Sequence, residues 1–430
     1  MKLLLGIVAA AAVAVQAAPS PLLRDLVGQV DTSYDKYLTP SIADIPKKQV
    51  ELSYTSPLVH PAEYMSAHSN VGTMSVYSET ITPVPGAEWT QLEFSPETLL
   101  SQENPREAVL KIWSERDGAV QLHTADTLRQ WGYKSALFNG DTVHVELLVT
   151  PRAGDVRVHV VSAETSAEAE PLVGAQTLCN AQDARRSTNE RKAARYLPGG
   201  GCSAWLIDDA AKCFLTAGHC SGVGSVQFQV PMSTSSGSIQ HPAPEDQYAV
   251  DSTSIQSTNG GVGNDWKHMG AFPNSNTGKT PYQAQKATYR LKTDGTIASH
   301  LTHTGYGVSQ PRNAMSQTQK GEPDGGELYS YRGTACRYRF DTTGGDSGSG
   351  VEDSTGRAVC IHTHGGCNSW STTSSNAGTA IYHTAVQRAI ASPQGVCSTE
   401  GAAAAATAVY GADFAGDLNV AGPRYVPSRD

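Results

Sequence analysis

The chain has 430 residues, with 32 Lys and Arg against 41 Asp and Glu and a formal net charge of −9. That length exceeds one ordinary domain and points to two or three. The scattered charges and acid excess exclude a nucleic-acid footprint, which needs clustered basic residues, and leave no basic patch for anionic lipid.

The first element is "MKLLLGIVAAAAVAVQAAPSP". Lys2 precedes an apolar run from Leu3 to Val15, and Val15-Gln16-Ala17 reads as an A-x-A-like cleavage site. The run is too short to cross a bilayer and fits a secretory signal peptide over residues 1–17. No later stretch of the sequence is long and apolar enough to span a membrane, so a secreted, extracellular protein is expected.

Residues 18–170 contain no cysteine and begin rich in Pro and Ser. "SPETLLSQENPREAVLKIW" (95–113) offers a short helical or mixed segment. "DTVHVELLVTP" (141–151) and "GDVRVHVVSA" (154–163) alternate as strands, and the turn signal from Pro151 to Asp155 predicts a hairpin. The region reads as a small β-rich domain or pro-segment. Trp89, Trp131 and Tyr133 are either sugar-stacking residues of a targeting domain or core residues of a pro-domain. A small, acidic linker, "SAETSAEAEPLVG", follows.

From 171 to 397 the chain shows short apolar runs punctuated by Gly, Ser, Thr and Asn, the pattern of an all-β sandwich or barrel. "HTAVQRAIAS" (383–392) predicts a terminal helix, and residues 398–430 a low-complexity tail. All eight cysteines, Cys179, Cys202, Cys213, Cys220, Cys336, Cys360, Cys367 and Cys397, fall from residue 179 onward. An even count behind a signal peptide implies disulfides, with 105 connectivities open. Their spacings lack the two close pairs of a zinc site. No N-x-S/T sequon occurs, and no metal or cofactor is expected.

The stretch "TTGGDSGSGV", Thr342 to Val351, surrounds Ser347 with glycines. A flexible turn would look similar; the sharper reading is a nucleophile whose backbone closely approaches a substrate carbonyl. Serine needs an adjacent base oriented by a third group. "CFLTAGHCSG" supplies His219, at the end of an apolar strand and beside Cys220. "GVGNDWKHMGAFPN" supplies Asp265, 46 residues after His219 and 82 before Ser347. Asp251, in "YAVDSTSI", is the competing third member.

"CSAWLI…LTAGHC" and "GGDSGSG", in the order His, Asp, Ser, resemble the motifs of chymotrypsin-like serine proteases over about residues 175 to 395. The resemblance implies two packed antiparallel β-barrels with the active site between them, and protein or peptide substrates for a monomeric enzyme. It assigns His219, Asp265 and Ser347 to the triad, and the N–H groups of Gly345 and Ser347 to the oxyanion hole. It also implies a Cys202–Cys220 disulfide bracing the histidine loop. Thr343 stands where the usual partner of Cys367 would be, so Cys336 or Cys360 is expected to replace it.

The resemblance also directs attention to "VCIHTHGGC" (359–367) as one wall of the specificity pocket. Thr363 stands where a Ser usually bonds the catalytic Asp, and His362 where glutamyl endopeptidases carry a histidine. His362 and Thr342 would donate to a substrate Glu, with His364 bordering the pocket. Asp341 stands where trypsins hold the aspartate that pairs with Lys or Arg, and favours the opposite preference if it reaches the pocket base. Asp346 matches the aspartate that receives a freed N-terminal ammonium in trypsin-like zymogens, where glutamyl endopeptidases usually carry Asn or another polar residue. "LVGA" (172–175) and Arg185-Arg186 are candidate processing sites, placing maturation between about 165 and 190. A triad-bearing but inactive binding homologue is the alternative from another class.

Overall fold

The structure, a computed structural model, describes residues 38–40, 42–67, 72–104, 106–167, 177–309 and 313–405. The expected signal peptide, the LVGA stretch, the end of the acidic linker and the tail from 406 lie outside the described residues.

Strict alternation builds the N-terminal unit. In Val143–Val149 every second residue, Val143, Val145, Leu147 and Val149, is buried. One four-stranded sheet has the order Lys47–Thr55, His159–Ser166, Trp89–Phe94, Phe138–Asn139. The other runs Met74–Ile81, Val143–Val149, Ala108–Ser114, Val120–His123. Leu92, Phe94, Leu110, Ile112, Leu147 and Val160 share one core.

The expected hairpin does not form. Val143–Val149 pairs with Met74–Ile81 and Ala108–Ser114, whereas His159–Ser166 pairs with Lys47–Thr55 and Trp89–Phe94. Both strands have an apolar face to bury, and the turn between them carries the chain from one sheet to the other. The segment expected to be helical or mixed contains the strands Leu99–Leu100 and Ala108–Ser114 instead. Val109, Leu110 and Ile112 are fully buried, as sheet residues with packed faces on both sides. Trp89 and Trp131 are core residues, not exposed stacking platforms.

Two closed barrels follow. In the first, Ala193–Leu197, Cys202–Leu206, Phe214–Thr216, Asp265–Ala271, Gln247–Asn259 and Ser225–Gln227 form a six-stranded antiparallel ring. The second ring runs His300–Gly305, Gly326–Arg332, Ala335–Arg339, Asn376–Ala380, Ala358–Gly365, Gly350–Asp353 and back to the start. Closure removes the unpaired edges that an open sheet would expose. Trp205, Leu215 and Trp266 of the first barrel pack on Ile361 of the second, with Val386 of the terminal helix Thr384–Ala391. A short helix, Thr399–Ala405, begins the expected tail.

The N-terminal unit sits against the first barrel. Leu137 N–H donates to Gln247 Oε1 (3.1 Å), whose amide donates back to the Leu137 carbonyl (2.8 Å). Asn139 and His241 exchange a similar pair at 2.9 and 2.8 Å, and Ala249 of the barrel belongs to the N-terminal core. Four disulfides join Cys179–Cys367, Cys202–Cys220, Cys213–Cys397 and Cys336–Cys360. Cys336 and Cys360 are therefore bonded to each other inside the second barrel. The partner of Cys367 comes instead from the segment leading into the first barrel.

Candidate active site

His219 stands just beyond the strand Phe214–Thr216, on a loop held from both sides. The Cys202–Cys220 disulfide closes it, and the buried Lys267 ammonium donates to the carbonyls of Cys220 and Gly222 and lies 3.3 Å from the Tyr196 hydroxyl. Burial lowers the Lys267 pKa to about 8.

Asp265 opens the strand Asp265–Ala271 at the barrel junction. Its N–H donates to Thr379 Oγ of the second barrel (3.0 Å), and that hydroxyl donates to the Asp265 carbonyl (2.7 Å). One carboxylate oxygen accepts from the His219 backbone N–H (3.0 Å); the other lies 2.5 Å from His219 Nδ1. His219 Nε2 is 2.7 Å from Ser347 Oγ. The three side chains form one continuous line across the interface. Asp251 is elsewhere: its carboxylate accepts from Thr253 and from the Val396 N–H.

The loop carrying Ser347 is fixed by both barrels. Ser203 N–H donates to the Ser347 carbonyl (2.7 Å), and Ser203 Oγ to the Gly345 carbonyl (2.8 Å). Two glycines are needed for this. Gly345 has φ +103°, and Gly348 has φ +88° with its Cβ position 2.1 Å from Thr216 Oγ. A side chain there would be strained and would collide with the first barrel. Among the described residues neither the Gly345 nor the Ser347 N–H donates to another protein group, leaving both for a developing oxyanion.

The Ser347 loop joined to the His219 loop across two six-stranded barrels decides the architecture. The chain carries the chymotrypsin fold. It is similar to a solved Glu endopeptidase (19% identity over 50% of this chain and 100% of that one, TM-score 0.38). It is also similar to the thermostable serine protease AL20 from an extremophilic microorganism (15%, 46% and 93%, TM-score 0.34). A third similar structure is the protease Anisep from Arthrobacter nicotinovorans (17%, 48% and 100%, TM-score 0.36). No protein-family model and no curated protein matches the chain. Likeness at this level leaves the reading of the site to its own geometry.

In this chymotrypsin fold the position on Asp346 reserved above for a freed N-terminus is filled by a side chain. Arg185 Nη1 lies 2.6 Å from Asp346 Oδ2, and both side chains are fully buried. Arg185 also donates to Thr343 Oγ (2.8 Å), the Val308 carbonyl (3.1 Å) and both oxygens of Asp183 (2.9 and 2.7 Å). Burial alone would depress the guanidinium pKa, but Asp346, Asp183 and Asp341 together raise it. Asp346 further accepts from the Gly307 and Thr343 N–H groups, both at 2.9 Å. Arg185 is thus a structural cation and not an exposed dibasic cleavage site. The sequence held the residue in plain view, but pairing across 161 positions leaves no local signature.

Asp341 does not present its carboxylate to a substrate cation. It is fully buried and accepts from the backbone N–H groups of Cys179 (2.8 Å), Asn180 (3.1 Å) and Ala184 (2.8 Å). Neither Arg337 nor Arg339 is needed to neutralise it. Replacing Asp341 by Ala leaves three backbone donors, one buried and two partly buried, without their acceptor and is expected to cost about 3 kcal/mol of stability. Denaturant unfolding checks the loss. The same variant is expected to leave the ranking of Arg against Glu peptides unchanged.

Thr342 is buried and its hydroxyl lies 3.0 Å from Thr177 Oγ. Thr363 Oγ bonds His364 Nδ1 (2.8 Å) and the Ala377 carbonyl (3.4 Å), not Asp265; the Thr363 carbonyl receives Ser347 Oγ at 3.4 Å. His364 takes the place beside the aspartate, its Nδ1 4.0 Å from Asp265 and its ring edge-on to His219. Burial lowers the His364 pKa despite the attraction of Asp265.

His362 is fully buried between two elements of the site. Its backbone exchanges hydrogen bonds with Gly348 and Ser349, and its Nδ1 lies 2.8 Å from the Tyr338 hydroxyl. Its Nε2 is buried with no partner among the described residues. Burial first, then the nearby His303, keeps the ring well below the usual histidine pKa, so it stays neutral. Tyr338 and His303, each stacked on Phe340, support this ring and carry no signal in the linear sequence. Among the described residues one metal-type cluster occurs, Cys213, His268 and Cys397, and both of its sulfurs are committed to a disulfide.

Proposed function

We propose that the chain is a secreted serine endopeptidase with a preference for cleavage after acidic residues. The observation that carries the enzyme reading is the unbroken line Asp265–His219–Ser347, at 2.5 and 2.7 Å. Asp265 facing Nδ1 keeps the histidine proton there, so Nε2 can accept from Ser347 Oγ as that oxygen attacks the scissile carbonyl. His219 then returns the proton to the leaving amine. The Gly345 and Ser347 N–H groups stabilise the tetrahedral oxyanion, each typically worth about 10²–10³ in rate. Water repeats the sequence on the acyl-enzyme. Four disulfides fit export to an oxidising compartment.

The acidic preference is supported by the unpartnered Nε2 of His362. With the Tyr338 hydroxyl donating to Nδ1, the ring proton sits on Nε2 and can donate to a substrate carboxylate. The competing basic preference loses its support because the Asp341 carboxylate is committed to backbone amides.

A fluorophosphonate is expected to form a stoichiometric adduct on Ser347 in folded, processed protein and none in His219→Ala. A peptide panel varying the residue before the scissile bond is expected to rank Glu first. His362→Val should lower kcat/KM on Glu peptides about 10–150-fold, the worth of one hydrogen bond to a charged group, while sparing Ala and Phe peptides. Best cleavage after Arg would sink the acidic preference.

A further inference from the structure

The nucleophile is covered. Ser347 has no exposed surface and His219 is 9% exposed, although a substrate must reach both. The start of the N-terminal unit runs along both flanks of the Ser347 loop. Thr39 and Pro40 pair antiparallel with Gly365 and His364, extending the strand Ala358–Gly365 at its site end. Leu38 continues this contact, its side chain filling the space beside Gly366. On the other side of the nucleophile, Ala43 and Gly201 exchange two backbone hydrogen bonds, 2.9 Å from the Ala43 N–H and 2.8 Å from the Gly201 N–H.

Between these anchors the chain presses on the oxyanion loop. The Ile42 carbonyl lies 2.8 Å from the Cβ position of Gly344, and the Ala43 Cβ 3.3 Å from that of Gly345. The two strand-edge anchors, Pro40 on His364 and Ala43 on Gly201, are three residues apart and flank the Ser347 loop. An extended peptide whose carbonyl reaches Ser347 Oγ would have to use the same two edges. This is addition of a strand to a sheet edge, in which main-chain hydrogen bonds give affinity and small pockets give selectivity.

We propose that Leu38–Pro40 and Ile42–Ala43 act as an inhibitor in cis, lying in the cleft as a substrate strand and kept there by the N-terminal unit docked on the first barrel. The inference rests on the endopeptidase reading. It assigns control to occlusion. The oxyanion loop is already held by Arg185 while the strand is in place, so activation has to remove a strand and does not have to build the site. The continuation into Lys47–Thr55 ties the strand to the N-terminal core. Release of that unit, or a cut within the strand, opens the cleft.

The test compares the full chain with a variant lacking residues 18–44, which keeps the N-terminal unit but not the strand. A tethered strand at an effective concentration of about 1 mM, with an intrinsic Kd of about 10 µM, would occupy the cleft about 99% of the time. Removing it is therefore expected to speed fluorophosphonate labelling of Ser347 about 100-fold. Equal labelling rates for the two proteins would overturn the proposal.

A second measurement is independent of catalysis. With Ser347→Ala in both proteins, a fluorescent peptide of residues 36–46 is expected to bind the shortened chain and not the full one. Binding to neither, or to both alike, would refute cleft occupancy whether or not Ser347 is a nucleophile. Selective peptide binding without any labelling would instead sustain the strand and refute the enzyme reading.

Discussion

Asp265→Asn is expected to lower kcat about 10⁴-fold while leaving the fold intact, and Ser347→Ala to lower it about 10⁶-fold. The first effect follows from how the aspartate is used. One oxygen accepts the His219 backbone N–H at 3.0 Å and the other faces Nδ1 at 2.5 Å. An asparagine can keep the backbone bond with its carbonyl oxygen, but then points an NH₂ donor at Nδ1. The imidazole must answer with its lone pair there, which moves the proton to Nε2. That nitrogen can no longer accept from Ser347 Oγ, although the 2.7 Å contact persists. A factor of 10⁴ corresponds to about 5.4 kcal/mol of transition-state stabilisation. Steady-state kinetics on an activated form, beside thermal unfolding of the same variants, checks both halves. A kcat within ten-fold of the parent for Asp265→Asn would remove Asp265 from the mechanism.

Arg185→Met is expected to cost stability and rate together. Without the guanidinium, Asp346 keeps its N–H donors from Gly307 and Thr343 but loses the buried charge paired with it at 2.6 Å. Breaking a buried ion pair from one side typically costs about 3–5 kcal/mol, because the surviving charge is left uncompensated. Asp346 directly precedes Ser347, so a carboxylate that swings toward water turns the Gly345–Ser347 peptides with it. Loss of one oriented oxyanion donor lowers kcat about 10²–10³-fold. Arg185→Lys keeps the charge but not the fork that reaches Asp183, Thr343, Val308 and Asp346 at once, and is expected to recover part of both losses. Denaturant unfolding gives the stability, and the split between kcat and KM separates a positioning role from simple loosening of the fold. A merely structural Arg185 would leave kcat of the folded fraction unchanged.

The chemistry of the site was legible because it is written locally. Glycines flank Ser347 where the backbone needs positive φ, and a cysteine stands beside His219 where its loop must be fastened. Asp265 and its competitor Asp251 both lie between them in chain order, and the fold brings Asp265 to His219. The all-β character was equally local, since alternation of period two records which face of a strand is buried. Alternation does not record the neighbour, however. Val143–Val149 and His159–Ser166 each satisfied the pattern of a hairpin and then joined different sheets.

The remaining decisions depended on groups far apart in the chain. Nothing near Asp341 foretells that backbone amides of Cys179, Asn180 and Ala184 would claim its carboxylate and take it away from the pocket. The same holds for Arg185 on Asp346, for Cys179 on Cys367, for Thr39 and Pro40 on Gly365 and His364, and for Ala43 on Gly201. The sequence by itself determined the order of the histidine, aspartate and serine and the glycines and cysteine that shape their loops. Only the tertiary structure decided which distant partners neutralise, bridge or cover them, because burial and hydrogen bonding select partners by proximity in the folded chain.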